Sequence, residues 1–178
     1  MLEGRAHLTV PVVVMVGGAV VRGMTSKGPE YIPPEVLAHF PEGLNQRPCV
    51  LYHPAKGTGS ALTPECISTM RMGQCFGSFF DLGDACLKTD AWLDPDRCTA
   101  LGTEHQAIMT RAEAGEMIEI SLGAVVEMDQ EDGVSPNGIP YSYIWRVVLS
   151  YDHLAIGLVT QGEVGACSID MGCGANRN

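Results

Sequence analysis

A chain of 178 residues that is 46% hydrophobic has enough apolar mass for one buried core and little room for a second. Eleven basic against 21 acidic residues give a formal net charge of −10, a surface that repels phosphate backbones and argues against nucleic-acid binding as a main function. The opening apolar stretch, Leu8 to Val21, is too short to span a bilayer and is broken by Pro11 and the Gly17-Gly18 pair. Its β-branched Val12, Val13, Val14 and Val16 predict strands over 8–16 and 19–22, joined as a hairpin at the glycines. Met1-Leu2-Glu3-Gly4-Arg5 does not have the basic start of a secretory signal, so a cytosolic chain with no membrane association is expected.

Pro33-Pro34 leads into a short helix that stops before Pro41. Cys49-Val50-Leu51-Tyr52 reads as a strand ending at His53-Pro54, followed by an exposed loop over 55–60. Residues 74–80 and 85–92 read as two strands joined by the turn-forming Asp81-Leu82-Gly83-Asp84. A helical region runs from Asp94 to about Ala114, then a long strand covers 116–128, and the last strands cover 141–149 and 153–159. From Gly162 the chain turns glycine-rich. The expected organisation is one domain over 1–165 and a tail over 166–178, in a β-rich α+β fold: a small closed or nearly closed antiparallel barrel with flanking helices. The seven cysteines are odd in number and scattered, with no CxxC pair, so no metal site and no disulfide framework is expected and the thiols read as reduced.

Three residues carry candidate chemistry. On the strand around Ser121, a period of two sends Ile118, Ile120, Leu122 and Ala124 to one face and Glu119, Ser121, Gly123 and Val125 to the other. The Ser121 hydroxyl thus stands on a rigid element away from the apolar face, with small Gly123 beside it. Taken alone, such a serine is ordinarily a solvated residue. A serine nucleophile needs a base, and of His7, His39, His53, His105 and His153 the best placed is His53, whose backbone Pro54 holds extended. His153 lies on a crowded face with Ala155 and Gly157, where it could orient His53 as a carboxylate does in a catalytic triad. Asp152 is the rival for that role. Adjacent strand residues face opposite ways, so the two are not expected to serve equally, and His153 is preferred.

The segments Arg47-Pro48-Cys49-Val50-Leu51-Tyr52-His53-Pro54, Glu119-Ile120-Ser121-Leu122-Gly123 and His153-Leu154-Ala155-Ile156, in that order, resemble the prohead maturation proteases of tailed phages, relatives of the herpesvirus assemblins. The similarity covers roughly residues 8 to 170. It implies an assemblin-like barrel and a serine endopeptidase in which Ser121 attacks, His53 transfers the proton and His153 orients His53. The substrate implied is a capsid or scaffold protein, and the chain itself, inside proheads assembling in the bacterial cytoplasm. No cofactor is implied, and a homodimer is allowed because assemblins form one. Oxyanion stabilisation is expected from the backbone N–H groups of Gln161 or Gly162, in a turn where relatives tend to place arginine and this chain has Glu163. That departure leaves open an alternative, the same fold as a catalytically weak structural or scaffold component. An unrelated β-rich binding domain is the third reading.

Overall fold

The computed structural model describes residues 4–23, 27–54, 59–157 and 165–177. The chain is a strand-rich α+β protein built on one curled, half-barrel sheet with a few helices against it. In chain order come β1 (Leu8–Val16), β2 (Val20–Val21), β3 (Glu30–Tyr31), α1 (Pro34–Ala38) and β4 (Pro48–Val50). They are followed by α2 (Pro64–Thr69), β5 (Arg71–Asp81), β6 (Cys86–Leu93), α3 (Pro95–Leu101) and α4 (Thr103–Glu113). The last strands are β7 (Ile120–Val134), β8 (Pro140–Ile156) and β9 (Gly174–Ala175).

Strand order is β2-β3-β8-β4-β5-β6-β1-β9, with β7 on a further edge of β8. Most pairs are antiparallel, but β3 and β4 both run parallel to β8, so the sheet is mixed and departs from the all-antiparallel expectation. β1 and β2 do not form the expected hairpin: β1 pairs with β6 and β9, and β2 pairs with β3. The reason lies at Gly17 and Gly18, whose N–H groups donate to Ala85 and Ile32 rather than closing a turn on β1. The β5–β6 hairpin forms as read, and the helical region after Asp94 divides at Gly102, whose φ of +117° no helix can contain.

The strands expected separately at 141–149 and 153–159 join as one 17-residue strand, β8, which ends at Ile156 and is the spine of the sheet; residues 158 and 159 lie outside the described residues. Its first half meets β3, its last residues meet β4, and β7 runs along its other side throughout. Apolar side chains facing the sheet interior, among them Leu87, Leu93, Ile118, Ile120 and Leu154, are fully buried.

The C-terminal residues, expected as a tail, return to the sheet. β9 pairs with β1, Ala175 bridges Ile118 just ahead of β7, and Cys173 and Ala175 are fully buried. Cys167 and Cys173 form a disulfide, correcting the reading of all seven cysteines as thiols. A single 3-10 turn at Ile169–Met171 folds the chain back and brings the two Cα atoms to 5.7 Å, a juxtaposition that their spacing in the sequence does not reveal. The other five cysteines are free. Among the described residues, no helix is long and apolar enough to cross a membrane.

Candidate functional site

The register of three strands assembles the site. β7 pairs antiparallel with β8 so that Ser121 lies opposite Ala155 and Gly123 opposite His153. β4 pairs parallel with the end of β8, setting Val50 against Ala155. Opposite partners share a face, so Ser121, Gly123, His153, Ala155 and Val50 line one side of the sheet, while Ile120, Leu154 and Cys49 line the core. Ala61 and Met70 pack over Val50 and Ala155 and roof part of that outer side.

His53 follows β4 after Leu51 and Tyr52, and the chain there delivers its ring to His153. His53 Nδ1 and His153 Nε2 are hydrogen-bonded at 2.6 Å, with ring centroids 4.9 Å apart and planes at 71°. His153 is buried and lies directly over Gly123, where any Cβ would fall on its imidazole atoms. The small residue beside Ser121 thus makes room for the imidazole. Ser121 is buried on the same face, one diagonal step from His153, a backbone separation of about 7–8 Å for such neighbours. Its hydroxyl makes no hydrogen bond among the described residues. Thus His53 and His153 are joined, and Ser121 is the diagonal neighbour of His153, without a hydrogen bond to either histidine.

Asp152 does not turn away from His153 as strand alternation predicts. The register slips between Gly123 and Ala124, whose partners are His153 and Tyr151, so Asp152 is the extra residue of a β-bulge. The bulge breaks the alternation, and Asp152 Oδ1 reaches His153 Nδ1 at 2.6 Å. The same carboxylate accepts from Ala61 N at 2.8 Å and from the Ser60 hydroxyl. Ser60 and Ala61 were not singled out in the sequence, and no local pattern marks them, because the contact spans 91 and 92 residues. The adjacency of Asp152 and His153 was visible; the bulge that makes it useful was not.

Burial, reinforced by His153, lowers the His53 pKa from 6.5 to about 4. Burial also lowers that of His153, against the pull of Asp152. Burial raises Asp152, but its bonds from Ser60, His153 and Ala61 more than offset this and hold the carboxyl below its ordinary value. At neutral pH the arrangement is a neutral imidazole pair backed by an ionised carboxylate, which can accept one proton at His53 and spread the resulting charge.

The remaining histidines lie elsewhere. His7 bonds to the Arg5 carbonyl near Trp92, exposed His39 ends α1, and half-buried His105 lies on α4. Gln161, Gly162 and Glu163 fall outside the described residues. No family model, curated protein or solved structure matches the chain.

Proposed function

We propose that the chain is a serine endopeptidase of the prohead-protease kind, acting through Ser121, His53 and His153 on a capsid or scaffold protein in assembling proheads. The observation that carries this reading is the 2.6 Å His53–His153 hydrogen bond on the sheet face that also bears Ser121. The curled sheet, with its Ile118–Ala175 bridge beside β7, suits an assemblin-like barrel. In the reaction, the Ser121 Oγ–H proton passes to His53 Nε2 as Oγ bonds to the scissile carbonyl carbon. His53 returns that proton to the leaving nitrogen as the C–N bond breaks, and water then repeats the sequence to release the acyl group. His153 holds the His53 ring and shares its positive charge. An oxyanion site at Gln161 or Gly162 belongs to the same proposal.

The second reading, a structural capsid component of the same fold, draws on one observation: no hydrogen bond joins Ser121 to His53. Resting peptidases often show such loose geometry and tighten it with substrate bound, so the active reading is preferred. Co-expression with a phage capsid or scaffold protein as candidate substrate separates the two. Intact mass should show processed partner with the wild type and none with Ser121→Ala, whose melting temperature should stay close to wild type because the hydroxyl has no bonds to lose. Equal processing by both proteins would remove Ser121 as the nucleophile; an unprocessed partner in both would favour the structural component.

A further inference from the structure

We infer that Asp152 is a positioning residue that sets the proton order of the two histidines, so that Asp152, His153 and His53 act in series and leave His53 Nε2 bare for the Ser121 proton. The inference rests on the proposed peptidase for its kinetic consequence alone; the proton order itself is a property of the resting protein.

The order follows from donor and acceptor counting along four bonds. An ionised carboxylate only accepts. Asp152 Oδ1 already takes the Ala61 N–H, and Oδ2 takes the Ser60 hydroxyl, so His153 Nδ1 must be the donor in its 2.6 Å bond to Oδ1. A neutral imidazole carries one N–H, which leaves His153 Nε2 as an acceptor. The 2.6 Å bond to His53 then requires His53 Nδ1 to donate. With its single N–H spent there, His53 has a lone pair on Nε2. Reversing either imidazole bond would move an N–H onto His53 Nε2 and abolish the base.

The clamp on Asp152 is what holds this direction. Ser60 Oγ bonds the carboxylate and also accepts from Leu62 N at 3.1 Å, so the segment after the His53 loop is pinned to the relay. Among the described residues, the titratable groups packed against His153 are His53 and Asp152; Ser121 and Gly123 on β7, and Ser60 and Ala61, carry no charge. When His53 takes a proton, its Nδ1–H···Nε2 bond can pass positive charge to His153, next to the Asp152 carboxylate.

The substitutions separate charge from direction. In Asp152→Asn the amide oxygen can keep both the Ala61 and His153 bonds while the NH2 turns to Ser60 Oγ. Direction survives and charge is lost. In Asp152→Ala both go. The test is nitrogen-15 NMR of the imidazoles, in a Ser121→Ala background for stability against self-cleavage, together with pH profiles of kcat/KM in the active protein. Wild type should show protonated Nδ1 on both rings. Asp152→Asn should keep that pattern, lose about tenfold or more in kcat/KM, and move its acid limb to lower pH because the imidazolium has lost its counter-charge. Asp152→Ala should show mixed tautomers and lose about 10²- to 10⁴-fold. Unchanged imidazole signals in Asp152→Ala would overturn the inference whatever the activity. An inactive wild type with the expected tautomers would instead sink the peptidase reading and leave the proton order standing.

Discussion

In the proposed peptidase the proton passes through His53, and its pKa of about 4 has consequences for rate and for stability. A base that is neutral down to that pH gives kcat/KM an acid limb well below the 6.5 of a solvated imidazole. An acid limb at 6.5 or above would mean that the working base is not this buried ring. The same shift fixes the sign of a stability effect. Between pH 6.5 and about 4 the unfolded chain binds a proton at His53 that the folded one does not. Stability from this group is therefore complete above 6.5 and drains as pH falls through the window. His153, also lowered, pulls in the same direction. Denaturant titrations across this range should give a steeper acid loss for wild type than for His53→Gln; parallel slopes would disprove the buried neutral state. At this scale the sequence was informative about side-chain type and face. The shared face of Ser121 and His153 was legible because strand alternation constrains it. The Asp152–His153 bond was not, because strict alternation is the assumption that a bulge breaks.

The elements that matter most are β7 and β8, and Gly123 is where they are least tolerant. A methyl at this position would meet the His153 ring, and that ring cannot retreat without giving up its bonds to His53 or Asp152. Gly123→Ala should therefore lower kcat/KM by about 10²-fold, since a displacement of about 1 Å in such a constellation is enough. Its overpacking cost should be about 1–3 kcal/mol. Val125→Ala, an exposed change two residues along the strand, is the matched control and should alter neither. Full activity in Gly123→Ala would mean that His153 is not held where it acts. The β5–β6 hairpin and the α1 start were legible because turn residues and prolines act locally. The β1–β2 hairpin was misread for a related reason: a glycine pair signals a change of direction but not which strand the chain then joins. The continuity of β8 was hidden because its bulges interrupt the period of two that a strand is recognised by.

Across the whole molecule, closure around the sheet depends on the C-terminal segment that composition marked as a tail. Glycine content there reflects tight turns rather than freedom. The segment carries the Cys167–Cys173 disulfide, bonds Ile169 N to the buried Glu119 carboxylate, lays β9 on β1, and ends with Arg177 Nη1 on the Ile169 carbonyl. Glu119 is two residues before Ser121, so the same contacts brace the start of the strand that presents the hydroxyl. A cross-link spanning only six residues removes little unfolded-state entropy, worth about 2 kcal/mol on the chain-entropy account. The double change Cys167→Ala with Cys173→Ala should therefore lower the melting temperature by about 4–8 °C for a chain of this size. It should reduce kcat/KM as well if bracing at Glu119 matters to Ser121. Adding reductant to wild type should reproduce the thermal shift and leave the double variant unmoved. A wild type whose melting temperature ignores reductant, with both cysteines alkylated under native conditions, would show that the segment is held by its β9 pairing and buried side chains alone.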